Sequence, residues 1–172
     1  KRGYSLMIDG IAICQRARWW KRSNEIVGLC REHAVRADLG MADLPSVLKV
    51  VETVHGKNPT CHYGREATVA AVAPFGADNY HPTPILLSVT CKSETAPEFA
   101  VIVRLLIDGW ATHGAHTLGE LWFVSTDGDS TFRGALYSVL MDRELDNSLY
   151  LALTQLEGLN LRCGPRNIVM AP

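Results

Sequence analysis

The chain lacks any bias of charge, since 17 Lys and Arg stand against 18 Asp and Glu for a formal net charge of -1. That balance removes a global electrostatic case for nucleic acid, so any such role must rest on local patches. A long apolar run is also missing. The longest, residues 99–110, is interrupted by Arg104 and Asp108 and is too short to span a bilayer, and no signal peptide is visible. Membrane insertion is therefore not expected. Nor is there a disulfide rhythm: Cys14, Cys30, Cys61, Cys91 and Cys163 are odd in number and widely spaced, which reads as reduced thiols in an intracellular protein. Repeats and low-complexity segments are absent. Apolar residues at 47% and charged residues at 20% describe an ordinary folding chain. The 172 residues suit one domain, large enough to bury roughly 70% of its unfolded surface. The opening at Lys1 and the apolar segment before Pro172 suggest a piece of something longer.

What is present centres on residues 121–133, LWFVSTDGDSTFR. A run this apolar belongs in the middle of a sheet, and the acids Asp127 and Asp129 mark its carboxyl end, where open α/β sheets hold ligands. Residues 4–13, YSLMIDGIAI, form a second such strand with a single acid, Asp9. An unpaired carboxylate inside a sheet costs several kcal/mol, so Asp9 must be hydrogen-bonded, reach solvent, or bind a cation.

Between these strands the chain alternates. Arg16, Arg18, Lys21 and Arg22 flank Trp19 and Trp20, an interleaving that can hold a phosphate backbone while a ring stacks on a base. The alternative is a solvated hairpin loop whose tryptophans fold back on the sheet. Residues 25–30, EIVGLC, read as a strand returning antiparallel beside the first. Cys30 and His33 stand in a C-x2-H arrangement and Cys61 and His62 are adjacent. Four soft ligands can bind zinc, but this spacing fits no strong finger pattern and neighbouring residues seldom reach one metal. Structural cysteines and surface histidines are the expectation. Residues 44–55 carry apolar side chains at helical spacing, with Pro45 in the first turn and Gly56 at the end. Strands follow at 67–74 and 85–91, and a strong helix at about 98–112. A helix opens near Ser130 or Thr131, and Asp129 fits the role of its cap better than that of an added metal ligand. Arg133, one turn in, can pair with Asp129 or touch a phosphate. Asp142, Glu144 and Asp146 read as a solvated face of this helix, and residues 148–161, SLYLALTQLEGLNL, can continue as helix.

The order of elements predicts an α/β fold in which the strands bearing Asp9 and Asp127 can be neighbours. Carboxylate oxygens suit hard divalent cations. Two such ions about 4 Å apart would clamp the attacking and leaving oxygens of a phosphoryl displacement.

The segments LMIDGIAI, EIVGLCREH and WFVSTDGDSTFR resemble the catalytic core of cut-and-paste, DDE/D-type DNA transposases with an RNase H-like fold, especially P-element-like transposases and related transposon-derived frames of fungi. The resemblance implies a mixed sheet flanked by helices, with three antiparallel strands, a helix, and then the strand carrying the second acid. Asp9 would match the first metal-binding acid and Asp127 the second, with Asp129 as a further candidate ligand. It also implies Mg2+ or Mn2+, DNA (transposon ends) as partner, homo-oligomers, and a nuclear setting. Two departures stand out. Gly10 follows Asp9 where the family often has a second acid, and the family's third carboxylate is expected beyond Pro172. The resemblance thus describes an RNase H-like domain incomplete at its C-terminus, a metal-dependent polynucleotidyl transferase or nuclease lacking one ligand. The strand for residues 85–91 exceeds the expected number before the helix.

Two rivals come from other classes. One is a non-catalytic nucleic-acid or protein interaction module that keeps the scaffold. The other, a metal-dependent phosphatase, needs a downstream lysine, and none follows Asp127.

Overall fold

The computed structural model describes residues 2–76, 80–144 and 162–171. In chain order the elements are β1 (Arg2–Ala12), β2 (Arg18–Trp20), β3 (Glu25–Val27), α1 (Arg31–Ala34), α2 (Leu44–His55), β4 (Glu66–Pro74), β5 (Thr83–Thr90), α3 (Ala96–His113), β6 (Gly119–Thr126), α4 (Ser130–Leu140), β7 (Arg143–Glu144), β8 (Arg162–Cys163) and β9 (Val169–Met170). The architecture is mixed α/β. Five strands form one sheet in the order β5-β4-β1-β6-β9. β1 and β6 run parallel, as do β6 and β9. β4 runs against β1, since Phe75 N–H donates to Gly3 O while Ile13 N–H donates to Arg65 O.

The expected strand over 25–30 is shorter and lies elsewhere. Its ordered part, β3, pairs antiparallel with β2 in a separate two-stranded sheet, Trp19 opposite Ile26. The neighbour of β1 is β4 instead. With that hairpin set aside, three strands (β1, β4, β5) precede α3, which accounts for residues 85–91.

The chain divides into two compact units. Unit 1 comprises Lys1–Ile8, Ala70–Ile85 and Thr95–Pro172, and unit 2 comprises Asp9–Val69 and Leu86–Glu94. Unit 1 has an apolar core, with Leu6, Ile8, Phe99, Val103, Val124 and Leu136 almost wholly excluded from solvent. The stripe of α3 predicted from period 3.6 supplies its buried face: Phe99, Val103 and Ile107 are inside. Phe99 stacks on Phe132 of α4 at a ring separation of 4.4 Å. α3 begins with the Thr95 and Glu98 capping box. The ladder between β1 and β6 carries one irregularity. Tyr4 pairs with Leu121 and Ser5 with Phe123, so Trp122 is an extra residue on β6. Trp122 stacks against Phe75.

Unit 2 is built differently. α2 opens on a capping box between Asp43 and Ser46, with Pro45 in its first turn, but buries only Val50. Beyond α4, Asp142 and Glu144 are exposed. They do not form a face of that helix as expected, because α4 ends at Leu140 and Glu144 belongs to β7. Asp146, Glu157 and the residues 148–161 expected as helix lie outside the described residues. No described helix is long and apolar enough to cross a membrane.

Candidate metal centre

The strand-end acids come first. Ile8 pairs with Thr126 as the last parallel pair of β1 and β6. Asp9 is the next residue on one strand and Asp127 the next after the other; Asp9 belongs to unit 2 and Asp127 to unit 1. Asp9 is exposed, not embedded in the sheet, and its Oδ1 accepts from the Gly10 N–H at 2.7 Å. Asp127 is exposed too. Its Oδ1 accepts from the Asp129 N–H at 3.1 Å and from the Thr126 hydroxyl at 3.3 Å. The turn between the two acids depends on Gly128, whose φ of +91° is costly for any side chain. Asp129 caps α4: its Oδ1 accepts from the N–H groups of Thr131 at 2.8 Å and Phe132 at 3.3 Å.

The basic-aromatic segment forms the β2-β3 hairpin. Arg16, Arg18, Lys21 and Arg22 are exposed. Trp19 and Trp20 are each 54% exposed and do not fold back into a core. Asn24 holds the turn in the left-handed region, and its Oδ1 accepts from Trp19 Nε1 at 3.0 Å. Asn24 Nδ2 donates to Met41 O, which ties the hairpin to the following loop.

A third site gathers side chains from three separate segments of unit 2. Cys30 is the N-cap residue of α1, which places His33 one turn further on with Nδ1 3.1 Å from Cys30 Sγ. Cys91 follows the last residue of β5, and its Sγ is 3.8 Å from the same Nδ1. His62 precedes β4, its ring 4.5 Å from that of His33 at an angle of 72°. One ligand atom from each of Cys30, His33, His62 and Cys91 lies within 4.8 Å of every other. Both thiols are buried, His33 is half-buried and His62 is exposed.

Backbone pairing fixes these segments. Cys30 N–H donates to His62 O at 2.9 Å, Gly64 N–H to Gly28 O at 3.0 Å, and Arg65 N–H to Thr90 O at 2.8 Å. Gly64 is needed for the close approach, because a Cβ there would stand 1.7 Å from Val89 Cγ1. Polar side chains brace the same region. Arg31 donates to Thr68 Oγ1 at 3.0 Å and Ser88 O at 3.2 Å, and pairs with Glu94 at 2.5 Å. Glu32 accepts from the Thr90 hydroxyl and from Cys91 N–H. Burial works to raise the Glu32 carboxyl, but the Thr90 hydroxyl, the backbone N–H groups and Arg31 leave it below the ordinary carboxylate value. Burial first, then the neighbouring Cys91 and Glu32, pushes the Cys30 thiol up to about 11 against the opposing backbone of His62. A cleft of about 500 Å3, lined by His62, Tyr63, Arg65, Cys91 and Lys92, opens beside the group.

The pairing of Cys61 with His62 fails for the reason their adjacency suggests. Cys61 is 1% exposed in the core of unit 2, its thiol raised by burial, and is not among the gathered ligands. Cys91 stands in its place. The local signal for Cys91 is only a cysteine closing a strand, in TCKS; His62 lies about thirty residues back, and Cys30 and His33 about sixty. No family model, curated protein or solved structure matches the chain.

Proposed function

We propose that the chain is a transposase-derived, RNase H-like domain that engages DNA, with Asp9 and Asp127 as ligands for Mg2+ or Mn2+. The observation that carries this reading is the order of the five-stranded sheet. With the β2-β3 hairpin set aside, three strands of alternating direction lead to α3, and the next strand, β6, ends in Asp127. That is the succession the sequence resemblance implies. Donor chemistry supports it as well. Both acids are exposed and both use Oδ1 for their hydrogen bonds, so carboxylate oxygen remains for a hard cation that keeps several waters. A bound divalent ion would neutralise phosphoryl charge during cleavage or strand transfer. The residues of this chain would hold that ion, and the cations of the hairpin would hold the backbone of the substrate. Asp129 is committed to the cap of α4 and serves the site by ordering the Asp127 turn.

The hairpin gives the partner. Four exposed cations around two half-exposed indoles offer phosphate contacts and stacking surfaces together. Nuclear location and self-association follow from this reading.

Two measurements test it. Titration with Mg2+ or Mn2+ should show binding that the Asp127→Asn variant loses; equal binding by both would leave a scaffold without a metal role, a non-catalytic interaction module. DNA binding should weaken steeply with salt, and replacing Arg16, Arg18, Lys21 and Arg22 by Gln should flatten that dependence. Unchanged salt dependence would remove the hairpin as the contact surface.

A further inference from the structure

We infer that Cys30, His33, His62 and Cys91 bind one zinc ion in a closed tetrahedral site that ties the three segments of unit 2 together. The inference is independent of the DNA reading, since the four ligands lie within one unit and include neither Asp9 nor Asp127.

The distances carry it. Zinc binds sulfur at about 2.3 Å and imidazole nitrogen at about 2.0–2.1 Å, so the edges of a tetrahedron around it measure roughly 3.3–3.8 Å. Cys30 Sγ and His33 Nδ1 are 3.1 Å apart, and Cys91 Sγ and His33 Nδ1 are 3.8 Å apart. All four donor atoms fall within 4.8 Å. A small adjustment closes the set around an ion, with the Cys30–His33 pair opening slightly and the wider pairs drawing in. The donors also choose the metal. Two thiolates with two imidazoles in this geometry select zinc over magnesium or calcium, which take oxygen.

The surroundings are those of a built site. The segments are already knit by backbone hydrogen bonds on either side of the group, from Cys30 to His62 and from Arg65 to Thr90. Ser93 Oγ lies 3.1 Å from Cys91 Sγ, a partner beyond the ligands of the kind that orients them. Lys92, directly after Cys91, adopts a φ of +65° and closes a tight turn with its N–H on Thr90 Oγ1 at 2.8 Å. The exposed edge at His62 and the adjoining cleft provide an entry path for the ion. Four protein ligands leave no open position for a reacting water, so the ion is structural.

Zinc content is the test. Wild-type chain kept reduced and dialysed against metal-free buffer should take up one zinc per chain in competition with a chromophoric chelator. Co2+ in its place should give the intense visible bands of a tetrahedral site and a thiolate charge-transfer band. His62→Asn removes an exposed ligand without opening the core. It should weaken zinc by no less than the roughly 10–100-fold that outer-shell partners cost. Cys91→Ser, which leaves Cys30 as the single thiolate, should weaken zinc and diminish the thiolate charge-transfer band, while Cys61→Ser should keep both the stoichiometry and the spectrum. Wild-type chain that takes up no zinc, or a His62→Asn variant that binds as tightly as wild type, would overturn the inference. So would a loss in Cys61→Ser equal to that in Cys91→Ser.

Discussion

Among the described residues, the largest side chains withdrawn from solvent in unit 1 include Phe99, Leu6, Ile8, Ile107, Leu136 and Ile168, whereas unit 2 contributes only Thr68 and Cys30 to that class. One unit fills its interior with large hydrocarbon side chains, while the other sets Leu29, Val50 and Ala67 beside three thiols and two threonine hydroxyls. Hydrocarbon interiors stabilise through area and close packing, without regard to direction. Unit 2 depends on directed contacts instead: the Arg31 to Glu94 pair, the Thr90 to Glu32 bond and the gathered Cys/His group. The core of a unit of ~70 residues rarely supplies more than about 3–5 kcal/mol, and small folds commonly add a metal or disulfides. The difference between the units is thus a reason to expect a structural metal in unit 2.

The comparison can be broken most forcefully in the core of unit 1. Phe99→Ala should lower stability by about 3–5 kcal/mol in urea unfolding, because it opens a cavity against Phe132. Leu29→Ala in unit 2, where the packing is thinner, should fall at about 2 kcal/mol, the low end for a buried leucine; losses of equal size would erase the contrast. A more selective effect is expected from chelation. Stripping zinc should remove about 3 kcal/mol at a metal concentration near 100 times the dissociation constant. Hydrogen exchange should show the loss in residues 28–34, 61–65 and 88–93, with α3 and α4 unmoved. Uniform loss across both units would mean that the ion does not act locally. The least effect belongs to Asp129→Ala, which should cost about 1 kcal/mol through the cap of α4 and leave zinc uptake unchanged.

Much of unit 1 is legible in the sequence because its signals are local and periodic. The stripe through Phe99, Val103 and Ile107 announces α3, the apolar run from Leu121 announces β6, and an acid two residues beyond Asp127 announces the cap of α4. Each is decided within a few residues of chain. The Cys/His group is of another kind. Cys30 and His33 share one turn, but their completion by His62 and Cys91 depends on β4 and β5 being paired, which no spacing rule reports. Adjacency told against Cys61 and His62 as joint ligands without saying which of the two would join Cys30 and His33, and the fourth member of the group lay thirty residues beyond Cys61. The hairpin was misplaced for a related reason. Strands of three residues, Arg18–Trp20 and Glu25–Val27, carry too short an alternation to say which neighbour they take. Asp142 and Glu144 looked helical because nothing in MDRE marks the stop at Leu140.

The extra residue at Trp122 has a consequence for how this chain can vary. Two parallel strands of strict alternation tolerate insertions and deletions only in pairs, since a single one turns every later side chain to the opposite face. β6 already holds one such insertion, absorbed where Trp122 covers Gly3 and lies against Phe75. Deleting Trp122 would therefore regularise the strand, since Leu121, Phe123 and Val124 would keep Tyr4, Ser5 and Leu6 as their partners. What would be lost is the ring against Phe75 and the cover over Gly3, so the bulge keeps an aromatic where strict alternation would leave none.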